Sequence, residues 1–143
     1  MFDLKIKNEK GVGGFGNFGF PPNLEENGSM FVGEAGLLQD AFAGFGMRYA
    51  ITSGCVAAKA LLGECSYSDT IKKRFSHQLK ASIVNRFILV HVDDNNMFNF
   101  LQFGSKRKDQ LKDIRKLYNF EFLHQRLLYP IALAWLRKKY PAD

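Results

Sequence analysis

Cysteine is scarce. Cys55 and Cys65 are the only two in 143 residues, which excludes a disulfide framework and points to a reducing, cytoplasmic setting. A metal centre is not expected, because His77 and His91 are too far apart to share one helical face and no carboxylate cluster joins them. Met1 is followed by Phe-Asp-Leu-Lys rather than a basic segment and an apolar run, so no secretory leader is read here. No stretch of about twenty apolar residues suggests a transmembrane helix. Glu25 and Glu26 are adjacent and read as solvated loop charges, not as a general acid/base pair.

One formal motif fails on context. Gly11, Gly13 and Gly16 satisfy Gly-x-Gly-x-x-Gly, and Phe2 to Lys7 alternates apolar and polar as a half-buried strand does. A dinucleotide fingerprint also needs a helix directly after it. The chain instead runs into Asn17-Phe18-Gly19-Phe20-Pro21-Pro22. The segment therefore reads as an irregular loop or short hairpin, with Phe15, Phe18 and Phe20 available to line an apolar pocket or to pack as core.

What the chain does hold is apolar mass and an uneven charge. It is 46% hydrophobic and 14% aromatic, enough for one domain with a core. Residues 1–71 carry five Lys/Arg against eight Asp/Glu, and residues 72–143 fifteen against six, within a net charge of +6. The basic second half suits an anionic membrane surface or a solvated helical face. No nucleic-acid partner is expected.

The chain is organised around Met30 to Ala60. A short apolar run, Met30-Phe31-Val32, reads as a strand. A Gly33-Glu34-Ala35-Gly36 turn follows, then a loop with Gly44 and Gly46, then a small-residue run from Met47 to Leu62 that is apolar nearly all round and so reads as a buried helix. A strand ending at Val32 would deliver the Glu34 carboxylate to accept hydrogen bonds from a sugar or polyol. Gly44 and Gly46 permit close approach of a flat ligand. The helix start offers free N–H groups and a positive dipole end.

The run VGEAGLLQDAFAGFGMRYAITSGCVAAKAL resembles the second FAD-binding motif of the geranylgeranyl reductase-like flavoproteins, within the para-hydroxybenzoate hydroxylase-like group. The family pattern is an apolar strand, Gly-Asp-Ala, about eight loop residues, Gly-x-Gly, then a helix carrying Ala and Ser-Gly. This chain gives Gly33-Glu34-Ala35, Gly44-Phe45-Gly46, Tyr49-Ala50 and Ser53-Gly54. The resemblance implies that Glu34 takes the place of the family Asp at the ribityl chain of FAD. It also implies that Gly44, Phe45, Gly46 and Met47 lie near the isoalloxazine ring. Gly33 and Ala35 complete the implied cofactor-binding set. Two departures stand out: Glu replaces Asp, and Leu37 sits where many members carry glycine. No catalytic residue is implied.

The rest reads as helices. Gly63 ends the first helix, and Ser66 or Ser68 caps the next. Ile71, Phe75, Leu79, Ile83 and Phe87 recur at i+4 as an amphipathic stripe, with Lys72, Lys73, Arg74, Lys80 and Arg86 off it. Asp93 to Phe103 reads as a capped short helix and Lys106 to Tyr118 as a charged one. Phe120 to Tyr140 reads as an apolar last helix that Pro130 should kink or divide. Arg48 has two readings, contact with FAD phosphate or substrate and simple exposure. Cys55 also has two, a reactive thiol and small-residue packing.

The expected fold is α+β, mostly α: short N-terminal strands and loops, one long buried helix, then a C-terminal helical region, with a partial, Rossmann-like FAD-binding domain. Residues 1–63 would be the C-terminal part of that domain and 64–143 the helical region. The resemblance implies the C-terminal third or subunit of an FAD-dependent oxidoreductase that reduces isoprenoid double bonds. A missing N-terminal FAD-binding domain or partner chain and a prenyl-lipid substrate would go with it. Peripheral membrane contact is left open. The alternative is a non-catalytic helical interaction or membrane-surface module derived from such a protein. Either way, an exposed apolar surface is expected on the isolated chain.

Overall fold

A computed structural model describes residues 18–19, 23–96 and 109–139. The expected strand at Phe2–Lys7, most of the glycine-rich segment with Phe15 and Phe20, and the greater part of the Asp93–Phe103 helix lie outside these residues. The described part is mostly helical, with a short hairpin ahead of the helices. It contains no Rossmann-type βαβ unit.

The hairpin comes from Asn27-Gly28. Strand β1 (Glu25–Glu26) pairs antiparallel with β2 (Ser29–Met30), Glu26 opposite Ser29. Asn27 and Gly28 both adopt positive φ, 50° and 78°, the signature of the two-residue turn that matches strand twist. Glu25 and Glu26, expected as loop charges, form a strand, and of the expected Met30-Phe31-Val32 strand only Met30 belongs to β2. Just past the strand the Phe31 amide still donates to the Leu24 carbonyl at 2.9 Å. The Phe31 carbonyl accepts from the Tyr67 hydroxyl at 2.6 Å.

A 3-10 turn at Gly33–Gly36 follows. Gly36 is fixed by contact: a Cβ there would lie 2.6 Å from the Phe31 carbonyl oxygen. The turn closes on Leu37, whose φ of 54° is left-handed. For a branched side chain that conformation costs about 1–2 kcal/mol.

Helix α1 (Met47–Leu61) starts at Gly46 and is followed by Gly63 with φ 74°. Helix α2 (Tyr67–His91) starts at Ser66, whose hydroxyl accepts from the Asp69 amide. At 25 residues α2 is about 37 Å long, and the rest of the fold is laid along it. Its stripe is buried as the spacing predicts: Ile71, Phe75, Leu79 and Ile83. Helix α3 (Gln110–Tyr118) is capped by Asp109. Helix α4 (Leu123–Lys139) continues through Pro130 and is not divided there, although the proline nitrogen has no hydrogen to donate.

Two buried clusters result. The first joins Leu24, Leu38, Tyr49 and Val56 to the N-terminal half of α2 through Tyr67, Ile71, Phe75 and Leu79. The second joins Ala41, Ile83 and Val84 to Ala132 and Leu136 of α4, with Phe18, Phe87 and Trp135 packed against it. Between α2, α3 and α4 lies a small polar knot. Asn85 Nδ2 and Gln125 Nε2 both donate to the Leu117 carbonyl, at 3.0 and 2.8 Å.

The expectation that α1 is buried all round is corrected. Its buried residues are Tyr49, Ser53 and Val56, the face turned to α2. Met47, Ile51, Leu61 and Leu62 are largely exposed. Apolar residues on every side state a demand for burial, but among the described residues only one side of α1 has an element against it. The expected exposed apolar surface is present.

The loop over α2 is fixed from below by Ser82, whose hydroxyl accepts from the Ala41 amide at 3.2 Å in a buried position. Ser82→Ala leaves that amide without an acceptor and should cost about 1–3 kcal/mol. Ser68→Ala, which removes an exposed bond to Glu25, should stay within about 0.5 kcal/mol. Urea unfolding of the two variants checks this; equal, small effects would show that the Ser82 contact carries no stability.

Candidate functional site

The residues singled out by sequence, Gly33 to Met47, form one connected surface segment on the first half of α1. Two anchors hold its beginning. The Gly33 amide donates to the buried Ser53 hydroxyl at 2.9 Å, and that hydroxyl donates to the Ala50 carbonyl. A Cβ at Gly33 would lie 3.1 Å from the Ala50 side chain. The turn bearing Glu34 therefore packs on the second turn of α1, and Ala50 and Ser53 of the helix serve it directly. Glu34 and Ala35 are exposed.

The end of the segment is organised by Asp40, which is 4% exposed. Its Oδ1 accepts from the Phe42 and Ala43 amides at 2.7 and 2.9 Å. Its carbonyl accepts from Gly44, and its own amide donates to the Phe45 carbonyl. These bonds fold residues 40–45 into a tight reverse turn with Gly44 at φ 74°. Gln39 Nε2 donates to the Gly44 carbonyl at 3.2 Å. Arg86 Nη1 donates to the Ala41 carbonyl at 2.9 Å, and its guanidinium lies over the Phe18 ring at 4.5 Å.

The turn delivers the chain into α1 at Gly46, where no side chain caps the helix. Phe45 and Met47, 73% and 78% exposed, flank that start. An open concavity bordered by Met47, Arg48, Ile51 and Thr52 continues along the helix. The arrangement offers main-chain donors and a positive dipole end between two exposed apolar side chains. That geometry fits the edge of a flat, electron-rich ring. It does not supply a cradle for a pyrophosphate and adenosine among the described residues. Arg48 points its guanidinium to Gln78 Oε1 and lies over the Tyr49 and Phe75 rings. Cys55 is exposed and Cys65 partly so.

Sequence reading missed three contributors. Asp40 was passed over, although Asp ahead of Ala-Phe-Ala-Gly has the form of a turn in which the carboxylate takes the next amides. Ser53, which the sequence offered only as part of the Ser-Gly pair of the motif, is the acceptor for the Gly33 amide. Arg86 was placed on a charged face and is instead bonded to the loop.

Tyrosines gather around the same carboxylate. Burial and the neighbouring Asp40 push the Tyr118 phenol well above the usual tyrosine range. Burial, with Asp40 again contributing, raises Tyr49.

Comparison with known proteins finds no matching family, no matching curated protein and no matching solved structure.

The raised phenols set an alkaline limit. A folded-state value above the unfolded one favours the folded chain fully below about pH 10, and that contribution is lost as pH rises through the raised values. Urea midpoints should fall between about pH 8 and about pH 10.5, and Tyr118→Phe should fall less. An identical decline in the variant would remove Tyr118 from this account.

Proposed function

We propose that this chain is the C-terminal portion, or a subunit, of an FAD-dependent oxidoreductase of the geranylgeranyl reductase-like type, acting on isoprenoid double bonds. The observation that carries the reading is the connection of the motif residues. Gly33, Ala50 and Ser53 touch one another, and Gly44-Phe45-Gly46 leads into the uncapped start of the same helix. A further detail supports it. Leu37, the position where many members of the resembled family carry glycine, has φ 54°, a conformation that glycine adopts without strain.

In this reading Glu34 accepts hydrogen bonds from the ribityl hydroxyls. The main chain at Phe45, Gly46 and Met47 would hold the flavin ring, with the exposed Phe45 and Met47 side chains beside it. The positive end of the helix would favour negative charge on a ring held there, and so its reduced state. A bound, reduced flavin supplies the hydride, which with a proton saturates an alkene. The remaining cofactor contacts come from a missing N-terminal domain or partner chain. An apolar prenyl chain is the substrate class.

The test is the absorbance spectrum of the protein purified from its own host with any chain that accompanies it. Flavin bands are expected, together with a second polypeptide that carries a dinucleotide fingerprint. In that assembly Glu34→Ala should lower FAD occupancy markedly, and unchanged occupancy would sink the assigned role. A colourless preparation from the protein's own host, with no accompanying chain that carries a dinucleotide fingerprint, would overturn the flavoenzyme reading and leave a helical interaction module in its place.

A further inference from the structure

We propose that the outer face of α4 docks the chain on an anionic lipid membrane, independently of any flavin site. Helix α4 has two apolar faces. One, with Ala132 and Leu136, closes the second core. The other carries Leu123, Leu127 and Ile131 at four-residue spacing, 72, 67 and 57% exposed. Exposed Pro130 and Ala134 fall within the same arc. Four-residue spacing brings successive side chains onto one side of a helix, so this is a continuous stripe that the fold does not use.

Charge identifies what covers it. From Leu123 to Lys139 there is no aspartate or glutamate. Arg126 and Arg137, both exposed, border one edge of the stripe, and exposed Lys138 extends it one turn beyond Ala134. An apolar stripe with cations along one edge and at its C-terminal end complements a surface whose apolar interior lies under a plane of negative headgroups. Arginine and lysine stems can lie along the acyl boundary while their charged ends reach the phosphates. Among the described residues no helix is long and apolar enough to cross a membrane, so α4 would lie in the interfacial plane. The basic surplus of residues 72–143 adds long-range attraction to the same surface.

The experiment is sedimentation of the full chain with vesicles of phosphatidylcholine alone and of phosphatidylcholine with phosphatidylglycerol, at low ionic strength. The chain should pellet with the anionic vesicles only. Leu127→Asp with Ile131→Asp should abolish pelleting while the far-ultraviolet circular dichroism is unchanged. If that pair does not fold, Leu123→Asp, at the helix end, tests the same stripe. Arg126→Gln and Arg137→Gln should each weaken partitioning about fivefold. A chain that stays in the supernatant with anionic vesicles overturns the proposal, as does pelleting that the aspartate variants leave unchanged. Concentration-dependent dimerisation lost in those variants, without lipid binding, would assign the stripe to a second copy of the chain and likewise overturn it.

Discussion

The architecture of the candidate site depends on the satisfaction of main-chain groups in a segment that has almost no regular structure. Between Gly33 and Gly46 the backbone lies over two helices, and buried amides there must find acceptors or lose stability. Asp40 supplies two of those acceptor contacts from one carboxylate oxygen, Ser53 supplies one to Gly33 and Ser82 one to Ala41. Arg86 answers from the other side by donating to the Ala41 carbonyl. These few side chains turn a glycine-rich loop into a fixed surface. The start of α1 is held in place because its approach is held in place.

Helix α2 provides the common base. Its N-terminal half packs under α1 and the Glu34 turn, and its C-terminal half packs under α4. Ser82 and Arg86 sit near the change-over between the two clusters, so the loop is pinned where α2 passes from one core to the other. The same long helix therefore couples the apolar face of α1 to that of α4 through one continuous element. Among the described residues, apolar side chains on the outer face of each helix are left exposed.

Periodicity made the helices legible. The i+4 recurrence from Ile71 to Ile83 needs no tertiary knowledge, because one side of a long helix must meet the core whatever packs there. Caps were legible for the same local reason, as Ser66 and Gly63 illustrate. The hairpin was within reach, since Asn27-Gly28 is itself a turn signal, but Glu25-Glu26 drew attention as charge rather than as strand. The burial of α1 was misjudged because sequence records a side chain's polarity and not whether a neighbour exists. The anchoring by Asp40 was local and its turn pattern was there to be read, whereas that by Ser82 was hidden by distance: Ala41 and its acceptor are 41 residues apart, and no local pattern announces such a pair. Leu37 lies between these cases. Its departure from glycine was visible, while the left-handed backbone it must tolerate was not.

The lone tryptophan gives the molecule an asymmetric optical readout. Trp135 stands edge-on to Phe87 and His91, with ring centroids 5.7 and 5.5 Å away, and the Lys139 ammonium lies 5.2 Å from its ring centre. All of these partners belong to the junction of α2 with α4, and none to the core beneath α1. Tryptophan emission thus reports on one end of the molecule, whereas helical ellipticity sums over both. If the two ends melt together the signals coincide; if the candidate site opens first, the emission stays silent while helix is lost. The position of a single indole makes independent melting of the two cores measurable without any added label.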